Sequence, residues 1–249
     1  MSFPNIIFGR EGAQYEIHAT QADGMGRHPW GTILVTPSGR QFRYARAGGT
    51  IPAGNLVQSE IPEANWDELA VDIPGIGTKV LSVTLGATAM DLNEVAQGYL
   101  NVEDDTGEGY AYRIANHLAI ASAGTGNFNL DTGVKLAFVA ATTVGVHKNP
   151  YRDFIIHASV NTALLLGVTQ MAVVAGDCCW LQTKGPCSVL IDGTVIIGLS
   201  VMASNATDGS VEAWGLTEAA PPTEITPIVG HVIEVAATTE FGMIELKLD

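Results

Sequence analysis

Charge is scarce in this chain of 249 residues, and positive charge is scarcest. Asp, Glu, Lys and Arg make up 15% of it, with 12 bases against 26 acids and a formal charge of −14. An ordinary globular chain carries about 25% charged residues. So few cations argue against nucleic acid as a partner, because phosphates would go unneutralised. No apolar run approaches the roughly 20 residues of a membrane span, so no membrane partner is expected. The opening MSFPNIIFGREG has neither a basic leader nor a long apolar segment, and no secretory signal is expected. On that basis the glycosylation-like triplet Asn205-Ala-Thr reads as a turn sequence.

Cysteine is also sparse. Cys178, Cys179 and Cys187 are the three present, an odd number that favours reduced thiols in a cytosolic setting. Adjacent cysteines on a strand point to opposite faces, so at most one of the pair could reach Cys187 across a hairpin. No histidine lies near them in sequence to complete a zinc site. Buried apolar packing is the expectation for all three.

Chemical motifs are missing as well. The six histidines are scattered singly, and no HExxH, paired CxxC or ligand-spaced cluster occurs. The one set worth testing for a hydrolase joins His18 or His28 with Asp72 and with Cys178 or Cys179. Trp180 follows the cysteines directly, where a nucleophile loop would carry glycine. The carboxylates Glu103, Asp104, Asp105 and Glu108 could suggest a glycosidase pair. They fall on a turn between two strand-like runs, which favours a solvated acidic turn. Glycine-rich turns such as Ala123-Gly-Thr-Gly126 lack the endings of phosphate loops. No enzyme activity, cofactor or metal is therefore expected.

What the chain does have is strands. It is 47% hydrophobic with 28 glycines and 11 prolines, and its apolar runs are short and cut by Gly, Pro, Asn and Asp. The expected fold is all-β, an antiparallel barrel or sandwich of jelly-roll type with few short helices. TILVT-PSGR-QFRYAR and GYLNVED-DTG-GYAYRIAN read as hairpins. In the second, Tyr110, Tyr112 and Ile114 share a face. Short helical turns are expected at 64–70, with Asn65 as cap, and at 91–97. The stretch 176–214 is read as scaffold: CCWLQT and CSVLI separated by a turn at KGP, then VIIGLSVM, all buried on both faces. Pro221, Pro222 and Pro227 mark a loop.

Charge also divides the chain. Residues 1–58 hold five arginines against three acids, a net of +2, and residues 59–249 hold seven bases against 23 acids, a net of −16. This suggests an N-terminal part at 1–58 and a main β domain at 59–249, the latter with a further boundary near 145–152. Arg10, Arg27, Arg40, Arg43 and Arg46 are then either an ordinary solvated surface or a set that docks on an acidic partner.

Four segments carry a family resemblance: GGTIPAGNLV (48–57), GYAYRIANHLAIASAGTGNFNLD (109–131), NPYRDFIIHAS (149–159) and GDCCWLQTKGPCSVLIDGTVIIGLSV (176–201). Within the last, Gly176, Trp180, Gln182, Gly185 and Asp192-Gly193 match a recurring strand-and-turn pattern. Together they resemble the decoration, or cement, proteins on the capsid surface of tailed bacteriophages. The resemblance implies an all-β, homotrimeric virion protein, assembled in the host cytoplasm, that binds the major capsid protein of the assembled shell. It implies no catalysis and assigns no site residues; the five arginines are the expected capsid contacts on charge alone. The rival expectation is a tail-associated or head-fibre carbohydrate-binding module, for which exposed aromatics lining a groove would speak. A β-barrel hydrolase comes third.

Overall fold

The structure, a computed structural model, describes residues 6–160, 162–215 and 227–249. Eighteen strands and two single-turn 3-10 segments make up its regular elements, so the chain is all-β as expected. The first strands are β1 (Ile6–Phe8), β2 (His18–Ala19), β3 (Ile33–Val35), β4 (Gln41–Arg46) and β5 (Leu56–Gln58). Next come β6 (Leu69–Val71), β7 (Val80–Thr84), β8 (Tyr99–Asp104), β9 (Ala111–His117), β10 (Thr125–Leu130) and β11 (Thr143–His147). The last group is β12 (Ile155–Ile156), β13 (Leu165–Thr169), β14 (Asp177–Leu190), β15 (Ser200–Ala203), β16 (Val211–Ala213), β17 (Ile228–Glu234) and β18 (Phe241–Lys247).

These strands form two units. The first gathers residues 1–20, 26–61 and 150–249, and the second 21–25 and 62–149. The expected split of 1–58 from 59–249 is therefore replaced by an insertion, with β1–β5 folding together with β12–β18. The physical reason is pairing: β4 finds its partner in β14 and β5 in β13. That long-range choice leaves no mark on composition.

The second unit is a closed barrel in the order β10-β7-β6-β11-β8-β9. Strict alternation makes it close. Leu81 and Val83 of β7, Leu100 and Val102 of β8, and Tyr112 and Ile114 of β9 all point inward, with polar residues between them. Tyr110 stands outside the strand but stacks on Tyr112, with centroids 6.3 Å apart. The expected helical turn at 64–70 shrinks to a 3-10 turn, Ala64–Trp66, and Glu63 rather than Asn65 caps it by accepting from the Asn65 amide. Residues 92–97 form turns without a helix.

The first unit is sandwich-like and mixed, with β1 parallel to β3 and the remaining ladders antiparallel. Its spine corrects the expected hairpin at KGP. β14 runs unbroken for 14 residues through Lys184-Gly185-Pro186 and exchanges partners on the way, from β4 before the kink to β18 after it. The register against β4 slips between Gln182 and Lys184, and Gly185 adopts φ +92°, open to glycine but strained for other residues. The fully buried Gln182 faces this bulge with its amide nitrogen 2.8–3.1 Å from the carbonyls of Lys184, Gly185 and Pro186. Pro186 lies past the end of the β4 ladder at Lys184, so it removes no N–H from that ladder. The run VIIGLSVM is another correction: β15 begins only at Ser200, and Ile196, Ile197 and Leu199 are exposed. The segment MAVVAG (171–176) is a loop with a single bridge at Val173. Pro221 and Pro222 lie outside the described residues.

Candidate functional site

The five arginines singled out in the sequence do not act as a set. Arg40 binds Glu11 at 2.9 Å, and hydrogen bonds from Ser38, then Arg40, hold the Glu11 carboxyl down at about 2. Arg43 forks onto the carboxylate of Asp249 through Nε and Nη2, both at 2.9 Å, and its Nη1 donates to the Gly31 carbonyl. Burial works against ionisation of Asp249, but the Arg43 hydrogen bonds prevail and hold it below the usual carboxylate range. Arg46 pairs with Asp153 and donates to Thr20 Oγ1. Three of the five thus tie β4, or the turn before it, to loop and terminal segments of the first unit. Arg10 and Arg27 are exposed and reach no carboxylate among the described residues. Sequence could mark the charges, but it could not place Asp153 and Asp249 beside them.

Part of the exposed apolar surface of this unit lies along β17, β18 and the loop before β15. Along the solvent face of β14 and β18 run the cross-strand pairs Leu190–Phe241, Ser188–Met243, Pro186–Glu245 and Lys184–Lys247. Phe241 is 53% exposed, Met243 and the β17 residue Ile233 are exposed too, and Ile196, Ile197 and Leu199 protrude from the preceding loop. The opposite face of the same strands is core: Cys187, Val189, Ile244 and Leu246 are buried. At the β1 end of the sheet, Phe8 is 82% exposed.

The candidate hydrolase residues come together only in part. His18 and Cys178 are register partners between β2 and β14, whereas Asp72 belongs to the second unit and accepts from the Ser82 amide. Burial pushes the Cys178 thiol up, the reverse of the depressed value that makes a thiolate nucleophile. Cys179 is raised as well, and Cys187 is pushed up to about 12, again by burial. All three cysteines are free and buried, each in a different core cluster.

A feature missed by sequence reading surrounds Cys178. His18, His28, Trp30, Tyr44 and Trp180 form one ring cluster, in which His28 lies 5.0 Å from Tyr44 and 5.6 Å from Trp180. Only the alternation of Phe42 and Tyr44 within QFRYAR hinted at it, because β2, β4 and β14 meet from distant parts of the chain.

In the second unit, the acidic turn satisfies itself. Asp104 Oδ1 accepts from the Asp105 amide and Asp105 Oδ1 from the Thr106 amide. Glu103 differs. Burial, then a hydrogen bond with Asp67, raises its pKa, against the Glu68 amide at 2.9 Å that favours the carboxylate. Because the folded protein holds this proton more tightly than the unfolded chain, the carboxylate weakens the fold as pH rises above the ordinary 4.5. Glu103→Gln keeps an acceptor for Glu68 and gives Asp67 a donor. The variant should gain about 0.5 kcal/mol at pH 7 and nothing at pH 4, read from urea midpoints; equal effects at both values would refute the charge explanation. A groove of about 610 Å³ on the same unit is lined by Val80, Leu118, Ile120, Asn116, Asn127 and Asn129. No Phe, Tyr or Trp lines it, so the feature that would favour carbohydrate binding is not found there.

Comparison of the chain with protein-family models, with curated proteins and with solved structures finds no significant match.

Proposed function

We propose that this protein is a structural component of a tailed-phage virion, a decoration protein that binds the outer surface of the assembled capsid and reinforces it. The observation that carries this reading is the one-sided sheet of β14, β17 and β18. Its inner face is core, and its outer face, with the 196–199 loop, presents Phe241, Met243, Ile233, Ile196, Ile197 and Leu199. An open apolar face on a chain with 15% charged residues supports reading it as a subunit of a larger assembly. In this reading the face joins three copies into a homotrimer, and the partner of the trimer is the major capsid protein. Arg10 and Arg27 meet acidic groups of the shell, while Arg40, Arg43 and Arg46 hold the docking unit together.

Co-expression with a tailed-phage major capsid protein that forms shells, followed by gradient sedimentation, tests the reading. The protein should travel with the shells, and Arg10→Glu should lower its occupancy several-fold without changing its thermal stability. Wild-type protein left at the top of the gradient while shells sediment would overturn the proposed function. Full occupancy of Arg10→Glu would overturn only the role of that arginine.

A further inference from the structure

The ring cluster of the first unit has a second property, independent of docking. Arg27 Nη1 lies 3.0 Å from His18 Nε2. Arginine can only donate, so Nε2 carries the lone pair and the proton of the neutral ring sits on Nδ1. That Nδ1 is buried and has no hydrogen-bond partner among the described residues. His18 can therefore be charged only by protonating Nε2, which removes the acceptor of Arg27 and sets two cations against each other. His28 lies 6.3 Å from His18, ring to ring, and follows Arg27 directly in the chain. It would add a third positive charge.

The groups facing this cluster offer little to offset such charge. From the same segment, Glu16 stands 3.7 Å from His18 Nε2. From β4, the Tyr44 hydroxyl is held neutral by burial and accepts from the Arg27 amide, and Arg46 is already paired with Asp153. From β14 come the neutral Cys178 thiol, at 3.7 Å from Thr20 Oγ1, and Asp177, whose carboxylate accepts from the Val174 amide. Trp30 and Trp180 are uncharged. Among the described residues Glu16 is the one carboxylate within ion-pair distance of these rings, against the potential cations Arg27, His18 and His28.

We propose that His18 and His28 form a proton-triggered release, in which their protonation detaches β2 and the turn at 26–30 from the Tyr44–Trp180 surface. Burial, then Arg27, holds both imidazoles below the ordinary 6.5, against an opposing pull from Glu16. The attached state binds fewer protons than the detached one. Attachment is therefore complete above pH 6.5 and is lost as pH falls through the native values.

The test follows tryptophan emission and the imidazole NMR signals of the full chain from pH 7.5 to 4. Both histidines should titrate below 6.5, together with a change in Trp emission and with β-sheet circular dichroism retained. The double variant His18→Gln/His28→Gln, which can still accept from Arg27 but cannot be charged, should lose the emission change. Arg27→Gln, which removes the resident cation, should move the midpoint up by on the order of half a pH unit. Histidines that titrate with no change in emission would overturn the proposal. So would a transition that survives intact in the double variant, or, should that variant misfold, an unmoved midpoint in Arg27→Gln.

Discussion

Trp180→Ala is expected to cost the protein about 3–5 kcal/mol, the range for deleting a buried indole. Trp180 is only 4% exposed and packs with Trp30, Leu34, Phe42, Tyr44 and Cys178 in one cluster. It is the register partner of Tyr44 across the β4–β14 ladder, with ring centroids 5.0 Å apart. Truncation removes the ring that Tyr44 and His28 lean on, and strand pairing on both sides prevents the site from collapsing. Urea unfolding followed by circular dichroism would measure the loss, with Trp180→Phe as a control that keeps a ring and loses less than half as much. A cost below about 1 kcal/mol, typical of surface change, would show that the cluster is not continuous with the core.

Gly98→Ala should destabilise the barrel by about 3 kcal/mol, the upper part of the overpacking range. A Cβ at Gly98 would fall within hard contact of the His147 carbonyl oxygen and stand 2.9 Å from both the Asn149 amide and the Val95 carbonyl. These neighbours are backbone and cannot rotate away. The glycine also sits where the barrel is joined: its own amide donates to Val95, its carbonyl accepts from Ile114, and the next residue, Tyr99, opens β8 opposite His147. For a β unit of this size the loss corresponds to a melting point lower by roughly 10–20 °C. Calorimetry would show it, and a shift under 3 °C would contradict the close approach of the two strands.

Much of the architecture is legible in the sequence, and the misses have a common cause. The hairpin β8–β9 reads directly, because alternation and a Gly-bearing turn are local signals. The alternation in β7 and β4 reads as well. The run through Lys184-Gly185-Pro186 misleads because the residues that make a turn also make a bulge, and the deciding contact comes from Gln182 beneath it. Ile196, Ile197 and Leu199 mislead because an apolar run signals burial only where something covers it. The arginines were visible as a cluster, yet their partners Asp153 and Asp249 lie more than 100 residues away. The ring cluster was hidden for the same reason, since Cys178 meets His18 across 160 residues of chain.

The inserted layout also sets an order of events during synthesis. The barrel strands lie within 62–149, so β11 can close the barrel onto β8 while everything after it is still being made. β4 has no such option. Its edge must wait for β14, and β5 must wait for β13, so the first unit spends translation with apolar strand edges unpaired. Assembly of that unit is slow by topology. During that interval Phe42, Tyr44 and Val57 lack the partners that bury them, although the finished fold buries all three completely.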